Sequence, residues 1–460
     1  MLDKAGEERG SLQMKRLFGV GQVLALALGF PVAVVASNAA AKFVRSHWTV
    51  YDFPTYWPLS IFWFRPPRLK QVLLAIAVGV LLYLIRIMLS RLGYRLVYVM
   101  MAGVVLVLCT NLIQGWVRGF ELPIVGVWDP GFEYYHDAIR IHDALDFMLH
   151  YEQLQPALLV HSRTHPPGAV LSIYMLLKAL GSPALVSITI AVVSACLSCF
   201  FLGRLLATAY GANDFPGYIT LLYMLIPAVQ IYYCASLDAL IVSLLLGVLY
   251  LCLFARPRMA TMLGAALLLW LTSFLTFGFV FVVPVLAGFE LLKKRSLRTT
   301  VFVLVCLALA YLLMYAVFHY DYLNSFAIAS ADQNPQGFRL LSEPANYFLT
   351  RLEGIAEIIV FLGPFLALLL VRGLRATPRH WSDLRTLSWL GMAALAAMLL
   401  GGVFPTGETA RACLFIYPFL IFPIAEHLWE VQASQKDQAL LLYLTFAQTL
   451  LMQTFGTFAW

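Results

Sequence analysis

The sequence has few charged residues: only 12% of its 460 residues are Asp, Glu, Lys or Arg, while 61% are hydrophobic. A soluble domain needs roughly a quarter of its residues charged to cover its surface. No polar stretch longer than about 50 residues separates the apolar runs, many of which approach the roughly 20 residues that cross a bilayer as a helix. The composition therefore argues against a soluble protein and predicts an all-α polytopic membrane protein.

Other features are missing as well. Cys196 and Cys199 form a CxxC, but it lies in a hydrophobic run and has no second pair, so the seven cysteines are predicted to be small packing residues rather than a metal or redox site. The first apolar run lacks a small-residue cleavage site, which predicts a retained signal anchor. The net charge of +7 is spread between apolar runs, which argues against a nucleic-acid partner and agrees with the positive-inside rule.

The apolar runs predict about 13 transmembrane helices with a cytoplasmic N-terminus. They cover residues 18–41, 71–90, 96–115, 185–203, 217–235, 239–254, 260–274, 277–292, 300–318, 354–371, 386–403, 411–428 and 438–457. Most of the 31 lysines and arginines then fall on the cytoplasmic side. This holds only if the apolar run at about 166–180 does not cross, so we expect a re-entrant or interfacial helix there, with both ends on the outer face.

Three regions follow from this topology. Residues 1–115 are expected to form an N-terminal membrane extension, the first two spans, that leads into the third span. Residues 116–183 are expected to form an outer catalytic loop with juxtamembrane and re-entrant helices, and residues 184–460 a transmembrane bundle with an outer loop at 320–353. The chain ends without a eukaryotic retention signal, so the expected location is the bacterial inner membrane.

The segment 116–165 concentrates ionisable residues, with seven acidic side chains and five of the nine histidines. Its part WDPGFEYYHDAIRIHDALDFML predicts an amphipathic helix along the membrane surface. The apolar face would carry Ala138, Ile141, Leu145, Met148 and Leu149, and the polar face Glu133, His136, Asp137, Arg140 and Asp143. Structural roles compete with chemical ones here: Asp129 before Pro130 is typical of a helix N-cap, and Glu133 and Asp137 could pair with Arg140.

The next motif, VHSRTHPPGAVL, precedes the helix that is expected not to cross. Its structural interpretation is that Thr164 or His165 caps the helix, Pro166 begins it, and Gly168 lets helices pack closely. A chemical interpretation rests on His161, Arg163 and His165, because two histidines and an arginine can hold a phosphate or a metal.

Two charged residues open later apolar runs. Asp238 is either a helix cap or a functional carboxylate at the membrane surface. Arg411, beside Glu408, either binds a lipid phosphate or lies along apolar surface so that its guanidinium reaches the membrane–water interface. The polar outer loop before Glu353 is a plausible cover for a site.

The order of these motifs resembles the GT-C glycosyltransferase superfamily, especially the branch with protein O-mannosyltransferases and aminoarabinose transferases of lipid A. The resemblance covers roughly 116–460 and is carried by Asp129 with Glu133-Tyr134-Tyr135, by His165-Pro166-Pro167, by Ser236-Leu237-Asp238-Ala239 and by Thr409 to Arg411. It implies an inverting membrane transferase that moves a sugar from a polyprenyl-phosphate donor to a lipid, glycan or protein hydroxyl on the outer face.

The resemblance also implies roles for residues. Asp129 or Glu133 would be the general base, and the choice stays open because Pro-Gly-Phe separates them here, whereas the family commonly has adjacent acids. Substrate would be bound by Asp137, His161, Arg163, His165 and Arg411. Some family members use a divalent metal and others lack it, and here Asp238 with Asp129 or Glu133 could hold one.

Rival functions remain. A flippase or transporter for a lipid-linked sugar predicts buried charges within spans and symmetric halves with broken helices, whereas the charges in this sequence cluster at span ends and no repeat is evident. A structural or assembly subunit would not need the acid- and histidine-rich loop. A ligase or polymerase of lipid-linked glycans is not separated from single-sugar transfer by the sequence.

Overall fold

The protein is described here from a computed structural model, which describes residues 17–47, 57–59, 62–127, 132–234, 236–335, 337–376, 382–403 and 408–458. About 81% of the chain is helical, which confirms the all-α prediction. Five helices are long and apolar enough to cross a membrane, and a bent helix pair brings that number to six. The chain is therefore a helical membrane protein.

The helices follow one another along the whole chain. The first four are α1 (Val20–His47), α2 (Leu69–Leu92), α3 (Leu96–Leu112) and α4 (Leu122–Val125). The next five are α5 (Tyr134–Ala138), α6 (Ala144–Leu149), α7 (Tyr151–Leu154), α8 (Val160–Arg163) and α9 (Pro167–Leu180). The following seven are α10 (Pro183–Tyr210), α11 (Asp214–Met224), α12 (Pro227–Tyr232), α13 (Asp238–Leu249), α14 (Met259–Leu275), α15 (Val282–Phe289) and α16 (Arg298–Phe318).

The last seven helices are α17 (Tyr322–Gln333), α18 (Pro344–Leu362), α19 (Pro364–Arg375), α20 (Asp383–Leu400), α21 (Thr409–Ala412), α22 (Tyr417–Glu430) and α23 (Gln435–Phe455). Wider π-helical turns occur at Val117–Glu121, Tyr250–Phe254 and Glu290–Lys294, and tighter 3-10 turns at Gln155–Ala157, Phe277–Phe281 and Leu414–Ile416. Two short strands, β1 (Trp63–Phe64) and β2 (Gly456–Thr457), pair antiparallel. This pairing, which the sequence did not reveal, joins the segment before α2 to the end of α23.

The structure identifies fewer candidate spans among the described residues than there are apolar runs in the sequence. The five long apolar helices are α1, α2, α10, α16 and α20. Shorter apolar helices lie at Leu96–Leu112, Pro167–Leu180, Asp238–Phe254 and Met259–Leu275. The figure of about 13 spans, and the orientation of the chain, therefore stay predictions.

Two of the predicted spans are broken by proline. The run 217–235 is divided into α11 and α12, and Pro227 begins the second helix because it has no N–H to continue the first. The run 354–371 bends by 107° between α18 and α19. Gly363 makes this bend at φ 94°, a backbone conformation that favours glycine, and Pro364 begins α19.

Helix α9 begins after the two prolines. Pro167 is its first residue, and Pro166 takes the N-cap position without a side-chain hydrogen bond, so the prediction that Thr164 or His165 caps it is wrong. Thr164 instead follows the last residue of α8, and its hydroxyl donates to the carbonyl of Val160, 2.8 Å away, at the start of that helix. The close approach at Gly168 is confirmed, since a Cβ there would lie 2.3 Å from the Phe274 ring. A helix of 14 residues spans about 21 Å, less than the roughly 30 Å of a hydrocarbon core.

The single amphipathic helix predicted in this loop is wrong. The segment forms α5 and α6, because the Asp143 carboxylate accepts hydrogen bonds from the N–H groups of Leu145 and Asp146 and starts a new helix. The predicted faces are also mixed: Glu133 and Asp137 are buried, whereas Leu145 is exposed. The two acids therefore face the protein interior rather than water.

A second, smaller apolar core supports this loop beside the main core of the bundle. Tyr151 and Tyr320 are fully buried in it, with ring centroids 5.7 Å apart. The contact ties the segment that contains the HPP motif to the loop that leads into α17. All seven cysteines are free, and four of them are buried, which agrees with a packing role.

Candidate functional site

The site begins with the carboxylate of Glu133, at the N-cap position of α5. One of its oxygens, Oε2, lies 3.4 Å from Nδ1 of His161. The other, Oε1, is buried and has no hydrogen-bond partner within the described part of the chain. Burial acts to raise the pKa of Glu133, but the contact with His161 and the charges of His161 and Arg411 outweigh it, so the pKa is lowered. Glu133 is therefore a carboxylate at neutral pH.

His165 lies beside this pair, and its tautomer follows from its hydrogen bond. Its Nδ1 is 2.9 Å from the backbone carbonyl of His161, which can only accept, so Nδ1 carries the proton and Nε2 has the free lone pair. Burial, with the nearby charge of His161, lowers the pKa of His165 to about 3. The ring of Tyr134 packs edge-on against His165, with centroids 5.5 Å apart, and also contacts His161. His165 is thus a neutral acceptor held in a fixed orientation.

The loop that carries both histidines is held by buried polar groups. The Asp137 carboxylate accepts a hydrogen bond from the N–H of Leu159, 3.0 Å away, and also lies 3.7 Å from Arg140. The hydroxyl of Tyr151 donates to the carbonyl of His165 at 2.7 Å. Asp137 thus positions the loop, and its predicted contact with substrate stays a prediction.

Arg411 brings a cationic group to the site from α21. Its Nε lies 3.9 Å from Oδ2 of Asp238, the first residue of α13, and its guanidinium also donates to Glu408. Its side chain is only 11% exposed, so these charges interact with little screening by water. Asp238 follows the N-cap residue Leu237, so the capping interpretation of Asp238 is wrong. Arg411 thus links α21 to α13 through Asp238, and its charge also helps to lower the pKa of Glu133.

Two buried acids near Arg411 were missed in the sequence. Glu353 and Glu357 lie on one face of α18, and each is 1% exposed. Oε2 of Glu357 accepts a hydrogen bond from the N–H of Ala410, 3.2 Å away, and so helps to fix α21. Their spacing of four residues in an apolar helix was the available signal. Glu353 immediately precedes the predicted span 354–371 and Glu357 is its fourth residue, so both buried acids lie at the end of that span.

Arg163, predicted to bind substrate, points to the outer loop instead. Its guanidinium lies 2.7 Å from Oδ1 of Asp332 near the end of α17. The neighbouring amide of Gln155 donates to the carbonyls of Arg163 and Ser325, at 2.9 and 3.0 Å. These contacts attach the segment of α17 to the HPP motif, and the role of the loop as a cover for the site stays a prediction. A phosphate-binding role for Arg163 stays a prediction.

Asp129, the other predicted base, lies outside the described residues. The described side chains include no group of three or more His, Cys, Asp or Glu placed to hold a metal. Asp238 faces Arg411, and Glu133 faces His161. The metal pairing of Asp238 with Asp129 or Glu133 stays a prediction, and no catalytic step is derived from it.

Comparison with protein-family models and with curated protein sequences found no match to this chain. The site combines a buried carboxylate, one oxygen of which has no described hydrogen-bond partner, with a neutral histidine acceptor and an arginine held between acids. Such a set can take a proton from a hydroxyl and place positive charge opposite a developing anion.

Proposed function

We propose that the chain is a membrane glycosyltransferase that moves a sugar from a polyprenyl-phosphate donor to an acceptor hydroxyl, with inversion, on the outer face of the membrane. The observation that carries the proposal is the carboxylate of Glu133, ionised at neutral pH, with His161 on one oxygen and no described partner on the other. A buried acceptor left without a partner costs about 1–3 kcal/mol, and a substrate hydroxyl would supply that partner.

In the proposed step, the acceptor hydroxyl gives its proton to Oε1 of Glu133 as its oxygen bonds to the anomeric carbon. The bond from that carbon to the phosphate oxygen breaks, and polyprenyl phosphate leaves with the electron pair. Because Oε1 is covered in this structure, acceptor binding has to uncover it. His161 keeps Oε2 in place, so the proton goes to the other oxygen.

Arg411 is the candidate partner for the departing phosphate. Its charge is now shared by Glu408 and Asp238, so the phosphate must replace one of these contacts. An arginine already held in place loses little side-chain freedom when the phosphate arrives. The long apolar helices supply surface along which the lipid tail of such a donor would lie. A transferase for such a donor would therefore consist mostly of apolar helices.

The experiment that tests this function uses purified protein in lipid vesicles with a panel of labelled polyprenyl-phosphate sugars and extracted membrane acceptors. The expected result is release of polyprenyl phosphate with at least one donor, together with labelled acceptor. Vesicles without protein are the control. If every donor stays intact, the transferase proposal is wrong. Transfer of a whole glycan from its lipid carrier would instead favour the ligase or polymerase interpretation.

A second candidate, a flippase for a lipid-linked sugar, gains support from one observation. The 107° break between α18 and α19 follows a helix with two buried acids, Glu353 and Glu357, and transporters use such broken helices. It predicts that labelled donor changes leaflet without being cleaved, and that Glu353→Gln reduces this movement. The transferase proposal predicts cleavage, so the same vesicles distinguish the two.

A further inference from the structure

We propose that the hollow between the start of α2, the end of α3 and the end of α23 binds the phosphate group of an anionic membrane lipid through Arg65 and Arg118. The hollow is shallow, and the empty space of about 190 Å³ at it includes the solvent at its open mouth. Arg65 follows strand β1, and Arg118 lies in the π-helical turn Val117–Glu121. The site is separate from Glu133 and from the proposed transfer reaction.

Three glutamines build the wall of the hollow. The amide of Gln114 donates to Oε1 of Gln453 at 2.6 Å, and that of Gln453 donates to Oδ1 of Asn111 at 3.2 Å. The amide of Gln71 donates to the carbonyl of Ile113, 3.2 Å away. Each of these amides already donates at least one hydrogen bond within the protein, so the two arginines supply most of the remaining N–H donors and the only positive side-chain charges of the lining that the structure describes.

Neither arginine of the hollow is balanced by a nearby acid in the described part of the chain. Within the described residues, neither Arg65 nor Arg118 forms an ion pair or a side-chain hydrogen bond. Glu121 lies three residues after Arg118 but does not pair with it. By contrast, Arg163 lies 2.7 Å from Asp332. Two positive charges that line one hollow repel each other. A bound anion attracts both of them and outweighs this repulsion.

The chemistry of the hollow fits a phosphate. Each guanidinium offers a planar pair of N–H donors that matches two phosphate oxygens. Gln71 is the third residue of the 24-residue helix α2, so the positive end of the helix dipole also lies at the hollow. These features favour an anion with several oxygens over a sugar or a cation.

The surroundings favour a lipid as the source of that phosphate. Trp63 and Phe64 precede Arg65 and are 40% and 64% exposed, and Trp116, close before Arg118, is 50% exposed. Exposed aromatic side chains next to arginines are typical of the headgroup level of a membrane. The phosphate at that level in highest concentration belongs to lipid.

The proposal is tested by native mass spectrometry of the full-length protein in neutral detergent, titrated with phosphatidylglycerol. We expect one saturable lipid, with apparent affinity reduced about tenfold or more in the double variant Arg65→Gln, Arg118→Gln. The control variant Arg68→Gln changes an exposed arginine at the same helix start and should bind as wild type does. Arg65→Lys with Arg118→Lys should bind at an intermediate level, because the charge stays and the planar donor pair is lost.

A second comparison needs no variant and holds even if the double variant fails to fold. Phosphatidylcholine carries a phosphate but no net charge, and we expect it to bind wild type at least about tenfold more weakly. Equal binding of the two lipids, or unchanged binding in a folded double variant, overturns the proposal. Inorganic phosphate that displaces the lipid at equal concentration would show that the site takes free phosphate instead, and would overturn the lipid assignment.

Discussion

Nδ1 of His161 lies 3.4 Å from Oε2 of Glu133, and the opposite oxygen of the same carboxylate is buried without a described partner. His161 thus holds one oxygen of the acid in place and, together with Arg411 and His136, lowers the pKa of Glu133 against the effect of burial.

We predict that His161→Ala moves the acid limb of the kcat/KM profile to higher pH. His161 lowers the pKa of Glu133, so its loss lets burial raise that pKa, and the base becomes protonated at a higher pH. The profile is measured with the donor that the vesicle assay identifies. His142→Ala, at an exposed histidine of the same segment, should leave the limb unchanged. An unmoved limb in His161→Ala would contradict the assignment.

We predict that His165 makes the fold less stable as the pH falls. Its pKa is about 3 in the fold, against roughly 6.5 when unfolded, so below pH 6.5 only the unfolded chain takes up this proton. Stability should decline between about pH 6.5 and 3 and level off below. In His165→Gln the Tm should therefore fall less between pH 7.5 and 5 than in wild type. An equal fall in both proteins would count against a buried, neutral His165.

We predict that Tyr151→Phe lowers the free energy of unfolding by about 1–2 kcal/mol. The change removes the hydroxyl that donates to the carbonyl of His165 and leaves that carbonyl without this donor. Thermal unfolding in detergent measures the effect. Tyr315→Phe, at a tyrosine that is 56% exposed, is the control and should have little effect. Equal stability of the two variants would show that the hydroxyl does not hold the loop.

We predict that Gly168→Ala destabilises the protein by about 1–3 kcal/mol, since overpacking a tight contact forces its neighbours apart. The added Cβ would lie 2.3 Å from the Phe274 ring and from the Phe274 carbonyl oxygen. Gly29→Ala in α1 is the matched control, because nothing lies within 4 Å of its Cβ position. A Tm for Gly168→Ala equal to that of Gly29→Ala would contradict the packing of α9 against α14.

Local sequence signals predicted much of this fold. The Pro166-Pro167-Gly168 motif predicted a helix start and a close contact between helices, and the structure has both. The single amphipathic helix was wrong because the period of hydrophobic residues continues across Asp143, whose side chain starts a new helix instead. The bend at Gly363-Pro364 was missed, since 354–371 was taken as one span although that dipeptide marks a turn even within an apolar run.

The charged part of the site was harder to predict, because the burial of an acid depends on partners that are distant in sequence. Glu357 is held by the N–H of Ala410, and Arg163 by Asp332. Neither pairing leaves a local trace. The concentration of acids and histidines in 116–165 marked the segment that holds the buried acids Glu133 and Asp137, but which of its acids face inward was decided by tertiary packing.

The measurement that tests the central claim most directly is the turnover of Glu133→Gln in vesicles, scored as release of polyprenyl phosphate. Glutamine keeps the shape of the side chain but cannot act as the base, so turnover should fall by about 100-fold or more with donor binding retained. Asp146→Asn, at a carboxylate whose side chain is 74% exposed on the same loop, should remain active. Wild-type turnover in Glu133→Gln would contradict the account and transfer the role of base to another carboxylate.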